Sequence, residues 1–191
     1  MVILKAFEKK DIPELLDWIK DSDAEFLIQF AGSKYRFPLD EKQLPDTLYD
    51  KSILVFKGID ETTGTTIGHC QLLRLDLANK SVTIGRVLIK PDKLNLGYGY
   101  AMLKKLINYA ASVLKLKQLN LKVFDFNQSA IRCYLKLGFV ESKREEVFPR
   151  QLIKPGTVSP WSIIYQEYNR DSYFHEVKII RRAVSFGEHE F

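Results

Sequence analysis

Between Ser52 and Phe139 the chain passes from three successive strand-like runs to alternating helix and strand, and that change limits the folds open to it more than any other feature. Ser52 to Lys57, Thr66 to Asp76 and Ser81 to Lys90 are strand-like runs. They are separated by turn chemistry, first Gly58-Ile59-Asp60-Glu61-Thr62-Thr63-Gly64 and then Asn79-Lys80. Links that short reverse the chain, so the three strands are expected to form an antiparallel meander. From Tyr100 to Lys115 the spacing is helical instead, with Leu103, Leu106, Ile107, Ala110 and Leu114 on one face. Leu119 to Phe124 then reads as a strand and Ala130 to Leu137 as a helix. Strand, helix, strand and helix in succession predict a parallel crossover joined to the meander, so the fold class is α/β.

The flanks add to this frame. Ile3 to Phe7 reads as a strand, and Asp11 as the cap of a helix carrying Pro13, Leu15, Leu16, Trp18 and Ile19. Ala24 to Phe30 suggests a further helical turn, and Pro45 either begins or breaks a helix within Asp40 to Tyr49. Trp161 to Tyr168 looks like a closing strand. Phe148, Pro149, Pro155, Pro160 and Trp161 suggest an ordered excursion before it. Residues 171–191 alternate weakly around Val177, Ile179 and Val184 and suggest an added edge strand, which divides the chain into a domain at 1–169 and an extension at 170–191.

The formal charge of +5 raises nucleic acid as a partner, but the lysines and arginines are dispersed among acids and form no stripe. No nucleic-acid partner is expected. Cys70 and Cys133 make neither a disulfide framework nor metal-ligand spacing, so no metal is expected. The N-terminus has no cleavable-signal shape and no apolar run is long enough to cross a bilayer. The expectation is a soluble cytoplasmic protein without a membrane partner.

Chemistry concentrates after the third strand. Val87-Leu88-Ile89-Lys90-Pro91 leads into Asn95-Leu96-Gly97-Tyr98-Gly99-Tyr100 and the long helix. Glycines let a backbone approach a bulky anion, and the unpaired N–H groups and positive dipole end of a helix start attract phosphate. By itself this is a generic anion cradle, or simply a turn. It is not a P-loop, because no Lys-Ser or Lys-Thr follows the glycines, and it fits a dinucleotide fingerprint poorly.

The next strand is followed by Asn127-Gln128-Ser129-Ala130-Ile131-Arg132-Cys133-Tyr134-Leu135-Lys136-Leu137-Gly138-Phe139. Together the two segments, from about Thr83 to Phe139, resemble the GNAT superfamily of N-acetyltransferases. In that family a strand ending near proline precedes an Arg/Gln-x-x-Gly-x-Gly/Ala turn, and an Asn-x-x-Ala-x-x-x-Tyr-x-x-x-Gly-Phe helix follows further on. Asn127, Ala130, Tyr134, Gly138 and Phe139 stand in register with the second motif. The resemblance implies a mixed sheet with helices on both faces and acetyl-CoA as acyl-donor cosubstrate.

It also implies roles. Main-chain groups of Val87, Leu88 and Ile89 would pair with the acyl and pantetheine amides. Amides of Asn95, Leu96, Gly97, Tyr98, Gly99 and Tyr100 would hold the pyrophosphate. Asn127 would bind the pantetheine arm, and Tyr134 would face the thioester sulfur. A phenol of reference pKa about 10 is protonated at neutral pH and can protonate a departing thiolate; outside this motif Tyr134 would read as a core aromatic.

The turn's first position is Leu94 rather than Arg or Gln, and its neighbour is Asn95 rather than glycine, which removes a side-chain contact but keeps the main-chain amides. No glutamate lies on the strands from Thr66 to Phe124, so the family's common general base has no counterpart. His69, Asp76, Asp125 or an ordered water remain for that task. Arg86 orients an acceptor, or is a surface or paired arginine. Phe26, Phe30, Tyr35 and Phe37 would line an acceptor pocket or belong to the core. The implied activity is acetyl transfer to a primary amine by direct attack. The acceptor is a small molecule or a peptide, and a homodimer is left open. A GNAT-fold acyl-CoA-binding or regulatory module with little catalysis is the alternative.

Overall fold

The computed structural model of the chain describes residues 1–147 and 161–169. The proline-containing excursion and the additional edge strand expected from the sequence both lie outside the described residues. Among the described residues seven strands form one sheet: β1 (Val2–Ala6), β2 (Leu54–Asp60), β3 (Thr66–Asp76), β4 (Ser81–Ile89), β5 (Gln118–Phe124), β6 (Val140–Val147) and β7 (Trp161–Asn169). Their order across the sheet is β1-β2-β3-β4-β5-β7-β6. The meander β2-β3-β4 is antiparallel and β4 pairs with β5 in parallel, as the turn chemistry and the intervening helix predict.

Two elements differ from the sequence reading. β2 continues through Gly58, Ile59 and Asp60, where a turn is expected, because these residues pair with Leu4, Ile3 and Val2 of β1. A Cβ on Gly58 would stand 2.9 Å from Ile67 Cδ1 and Met102 Sδ, so this glycine admits close packing rather than a reversal. The second difference is β6. Its sequence, VESKREEV, lacks the apolar alternation of a half-buried strand, yet it pairs along β7 at the sheet margin. Charge on an edge strand discourages further strand addition.

Helices cover both faces. On one face lie α4 (Tyr98–Ser112) and α5 (Gln128–Lys136). Met102, Leu106 and Tyr134 from these helices pack with Ile67, Leu72, Ile84, Leu121 and Phe139 in the larger core. The other face carries α1 (Ile12–Ile19), α2 (Ala24–Ala31) and α3 (Pro45–Tyr49). Ile12, Leu15, Leu27 and Phe30 there form a smaller core with Phe7 and Tyr35. Pro45 begins α3, where its missing N–H costs nothing. Asp23 caps α2 by accepting from Phe26 N at 2.8 Å. Asp11 stands at the start of α1 but does not cap it. Its carboxylate accepts from Glu8 N at 2.8 Å and pairs with Lys57 Nζ at 2.6 Å, tying the helix entrance to β2.

Candidate active site

β4 and β5 pair only from Ser81–Ile84 to Gln118–Leu121, and beyond that they part. The cause lies on the other side of β4. Against β3 the register runs Gln71↔Gly85 and then His69↔Leu88, so Arg86 and Val87 together oppose Cys70 in a bulge. Arg86 takes a left-handed backbone, φ 48°, to make it. Past the bulge, Lys90 N donates to Ile67 O at 2.9 Å. Successive residues of a strand point their polar groups to opposite edges, so Leu88 faces β3. Val87 and Ile89 therefore present N–H and C=O to the gap left by β5.

The gap ends at the start of α4. Asn95 and Gly97 both have left-handed backbones, φ 60° and 81°. Gly97 is the N-cap of α4, with no side-chain cap and no acidic residue in the first turn. The N–H groups of Tyr98, Gly99 and Tyr100 thus open the helix without an internal partner or a competing carboxylate. Tyr98 anchors the turn by donating its phenol to Asp60 Oδ2 at 2.5 Å, which holds the Asp60 carboxyl below its ordinary range.

α5 supplies the other two candidates. Asn127 Oδ1 caps the helix, accepting from Ala130 N at 3.2 Å and Ser129 Oγ at 3.1 Å. Its Nδ2 has no partner among the described residues. The Tyr134 ring is 8% exposed and sits edge-on to Phe139 at 6.0 Å. Its hydroxyl makes no hydrogen bond to a described residue, and burial pushes its pKa up.

On the opposite face of the same strands is a cleft of about 1030 Å³. α2 and the segment after it form one wall, including Phe30 and Lys34. Thr83 to Arg86 of β4 and Lys122 to Phe124 of β5 form the other. Of the four aromatics proposed for an acceptor pocket, Phe30 lines this cleft and Phe26 stacks on it at 6.3 Å, while Phe37 is exposed. Tyr35 is buried, donates to or accepts from Thr47 Oγ1 at 2.7 Å, and lies under Arg86 at 5.1 Å.

Behind the cleft runs a polar chain that sequence reasoning missed. Arg86 Nη1 donates to Gln71 Oε1 at 2.5 Å, and Gln71 Nε2 donates to His69 Nε2 at 3.0 Å. Strand alternation puts His69 and Gln71 on one face, which was a usable signal. The bulge that brings Arg86 to that face has no sequence signature. Gln71 fixes His69 with its proton on Nδ1, which has no partner among the described residues. His69 is 1% exposed between the rings of Phe7 and Phe30, and burial, with the charge of Arg86 adding to it, pushes its pKa down to about 3. Of the other base candidates, Asp76 is engaged by Asn79 N and Nδ2 at 2.8 and 2.7 Å at the far end of β3. Asp125 lies in the turn after β5.

His69 gives a pH signature. The unfolded chain takes up its proton near pH 6.5 and the folded chain only near 3, so between these values the unfolded state binds more protons and stability falls as pH falls. From pH 6.5 to 5 this residue alone is expected to remove about 2 kcal/mol. Urea midpoints at the two pH values check it: His69→Leu should lose this part of the pH dependence.

Residues 12–139 match the model of the Acetyltransferase (GNAT) family, about two thirds of the chain. The chain belongs to the GNAT family. Members of this family are N-acetyltransferases that take the acetyl group from acetyl-CoA. The fold is also that of a spermidine N-acetyltransferase from Vibrio cholerae solved in complex with CoA and spermine. That likeness has a TM-score of 0.69 at 17% identity, over 86% of this chain and 94% of the other. A dodecameric structure of spermidine N-acetyltransferase from the same organism gives 0.65 at 20% identity, over 86% and 92%. In this GNAT chain the motif from Asn127 to Phe139 is the N-cap of α5, the helix itself and the turn that leads into β6.

Proposed function

We propose that this chain transfers the acetyl group of acetyl-CoA to a primary amine by direct attack. The single observation that carries the reading is the parting of β4 from β5. It leaves the polar groups of Val87 and Ile89 without a strand partner, in line with the uncapped start of α4 at Gly97. An extended amide-bearing chain fits the first as an added strand, and a pyrophosphate fits the second. Acetyl-CoA has both parts and supplies the thioester.

In this reading Val87 and Ile89 align the pantetheine and acyl amides, Leu88 holds the strand to β3, and the amides from Asn95 to Tyr100 bind the pyrophosphate. Asn127 has Nδ2 to offer the pantetheine arm. The amine attacks the thioester carbonyl, the carbon–sulfur bond breaks, and the Tyr134 hydroxyl protonates the thiolate. His69 is too weak a base and too enclosed to take the amine's proton, so that proton leaves through water in the cleft. Acyltransferase activity belongs to residues 1–169. The free thiols Cys70 and Cys133 support a reducing, cytoplasmic setting. Among the described residues no helix is long and apolar enough to cross a membrane. The dodecameric relative supports self-association of this chain, and the spermidine enzymes support a small amine as acceptor.

A hundredfold excess of acetyl-CoA over its dissociation constant is expected to add about 2.7 kcal/mol of stability. Thermal unfolding with and without cofactor checks it. No shift at millimolar acetyl-CoA would overturn the reading. A shift without CoA release from any amine would favour the alternative, a binding or regulatory module, which the absence of a carboxylate base on β3, β4 and β5 beside the cleft recommends.

A further inference from the structure

The cleft on the α2 side carries an unusual charge arrangement. Lys34, Arg74, Arg86 and Lys122 line it against one carboxylate, Asp50. That carboxylate is already engaged: its Oδ1 accepts from Ser52 N at 2.8 Å and Ser52 Oγ at 2.7 Å. Arg86 is the most withdrawn of the four cations. It is half-buried, its guanidinium lies on the Tyr35 ring at 5.1 Å, and Gln71 takes one of its N–H groups. Its Nε is sealed from solvent with no hydrogen-bond partner, and no carboxylate pairs with it among the described residues. The contrast is Lys57, whose side chain is 12% exposed and meets Asp11 at 2.6 Å.

A buried cation without a counter-charge is costly, and a left-handed backbone at a non-glycine residue adds to the cost. Both are maintained at Arg86, at the one point where β4 turns from the cofactor gap toward the cleft. A guanidinium held flat on Tyr35 without a carboxylate keeps the N–H groups of Nη1 and Nη2 that Gln71 does not take, and these can donate to the oxygens of a carboxylate or phosphate. A polyamine would bring several positive charges into the same space, and like charges there would repel it.

We infer that the acceptor is a primary amine that also carries an oxyanion, a carboxylate or a phosphate, and that Arg86 is the group that selects it. This rests on the proposal that the cleft receives the amine acceptor. The two structures of similar fold named above are spermidine enzymes, and the inference separates this chain from them in substrate class.

The test is equilibrium binding to the full chain saturated with CoA, which has no acetyl group to transfer, by calorimetry, using four probes of similar length. These are 4-aminobutanoate, O-phosphoethanolamine, butylamine and 1,4-diaminobutane. At least one of the two anionic amines is expected to bind at least tenfold more tightly than the diamine, with butylamine between them; the stronger of the two identifies the oxyanion. Arg86→Gln should reduce that ratio at least tenfold. Lys122→Gln, at an exposed position where folding is not in question, should reduce it by two- to threefold. A thermal shift with acetyl-CoA in each variant verifies that the fold and the cofactor site survive. Diamine binding equal to or tighter than the anionic amines, a preference that persists in Arg86→Gln, or no binding by any probe overturns the inference. If acetyl-CoA itself gives no shift in the wild type, the acetyltransferase proposal is what fails.

Discussion

Tyr134→Phe is expected to lower turnover by about 10²- to 10⁴-fold while leaving the dissociation constant of acetyl-CoA nearly unchanged. The substitution is conservative in packing. The ring stays edge-on to Phe139, and the hydroxyl that is lost makes no hydrogen bond to a described residue, so no partner among the described residues is orphaned. What disappears is the proton available to the departing sulfur. Burial pushes the phenol's pKa up, with Cys133 and Cys70 adding to it, so the wild-type hydroxyl remains a donor across the whole neutral range. Steady-state rates with any accepted amine, set beside calorimetric titration of acetyl-CoA, check both halves. An unchanged turnover would remove Tyr134 from the acid role, and a matching loss of cofactor affinity would make it a binding residue instead.

Phe139→Ala is expected to cost about 3–5 kcal/mol of stability, enough to unfold a marginal variant. Phe139 is 1% exposed, with the Tyr134 ring 6.0 Å away on one side and the Tyr168 ring 5.7 Å away on the other. It therefore joins α5 to β7, two elements brought together only by the sheet. Its N–H also donates to Tyr134 O at 3.1 Å, closing the end of the helix. Truncation leaves a cavity that neither tyrosine can fill without leaving its own contacts. Denaturant unfolding measures the loss, and Phe139→Leu, which keeps most of the volume, should lose much less. A cost below 1 kcal/mol would mean that the site collapses freely.

The parts of the fold set by local chemistry were readable from sequence. Asn79-Lys80 reverses the chain and the spacing from Leu103 to Leu114 makes a helix, so the meander and the crossover follow without tertiary information. Gly58 was misread because a glycine in a turn and a glycine under a helix look alike until Met102 is placed above it. β6 was missed because its residues carry charge along an edge, where alternation is not required. The segments proposed for the donor, the turn at Gly97 and the Asn127 to Phe139 register, could be singled out from sequence because each is continuous. The cleft was not. Arg86, Gln71 and His69 come from two strands and meet through a bulge, which depends on how β3 and β4 pair rather than on either sequence alone.

That bulge gives β4 two kinds of surface within four residues: an edge, at Val87 and Ile89, and a side-chain face, at Arg86. If the edge takes the donor and the face takes the acceptor, the two ligands share one piece of backbone. Whatever the first does to that backbone then enters the affinity for the second, and linkage requires the effect to be equal in both directions. The order in which the substrates arrive becomes a property of a single strand, with no domain motion needed to couple them.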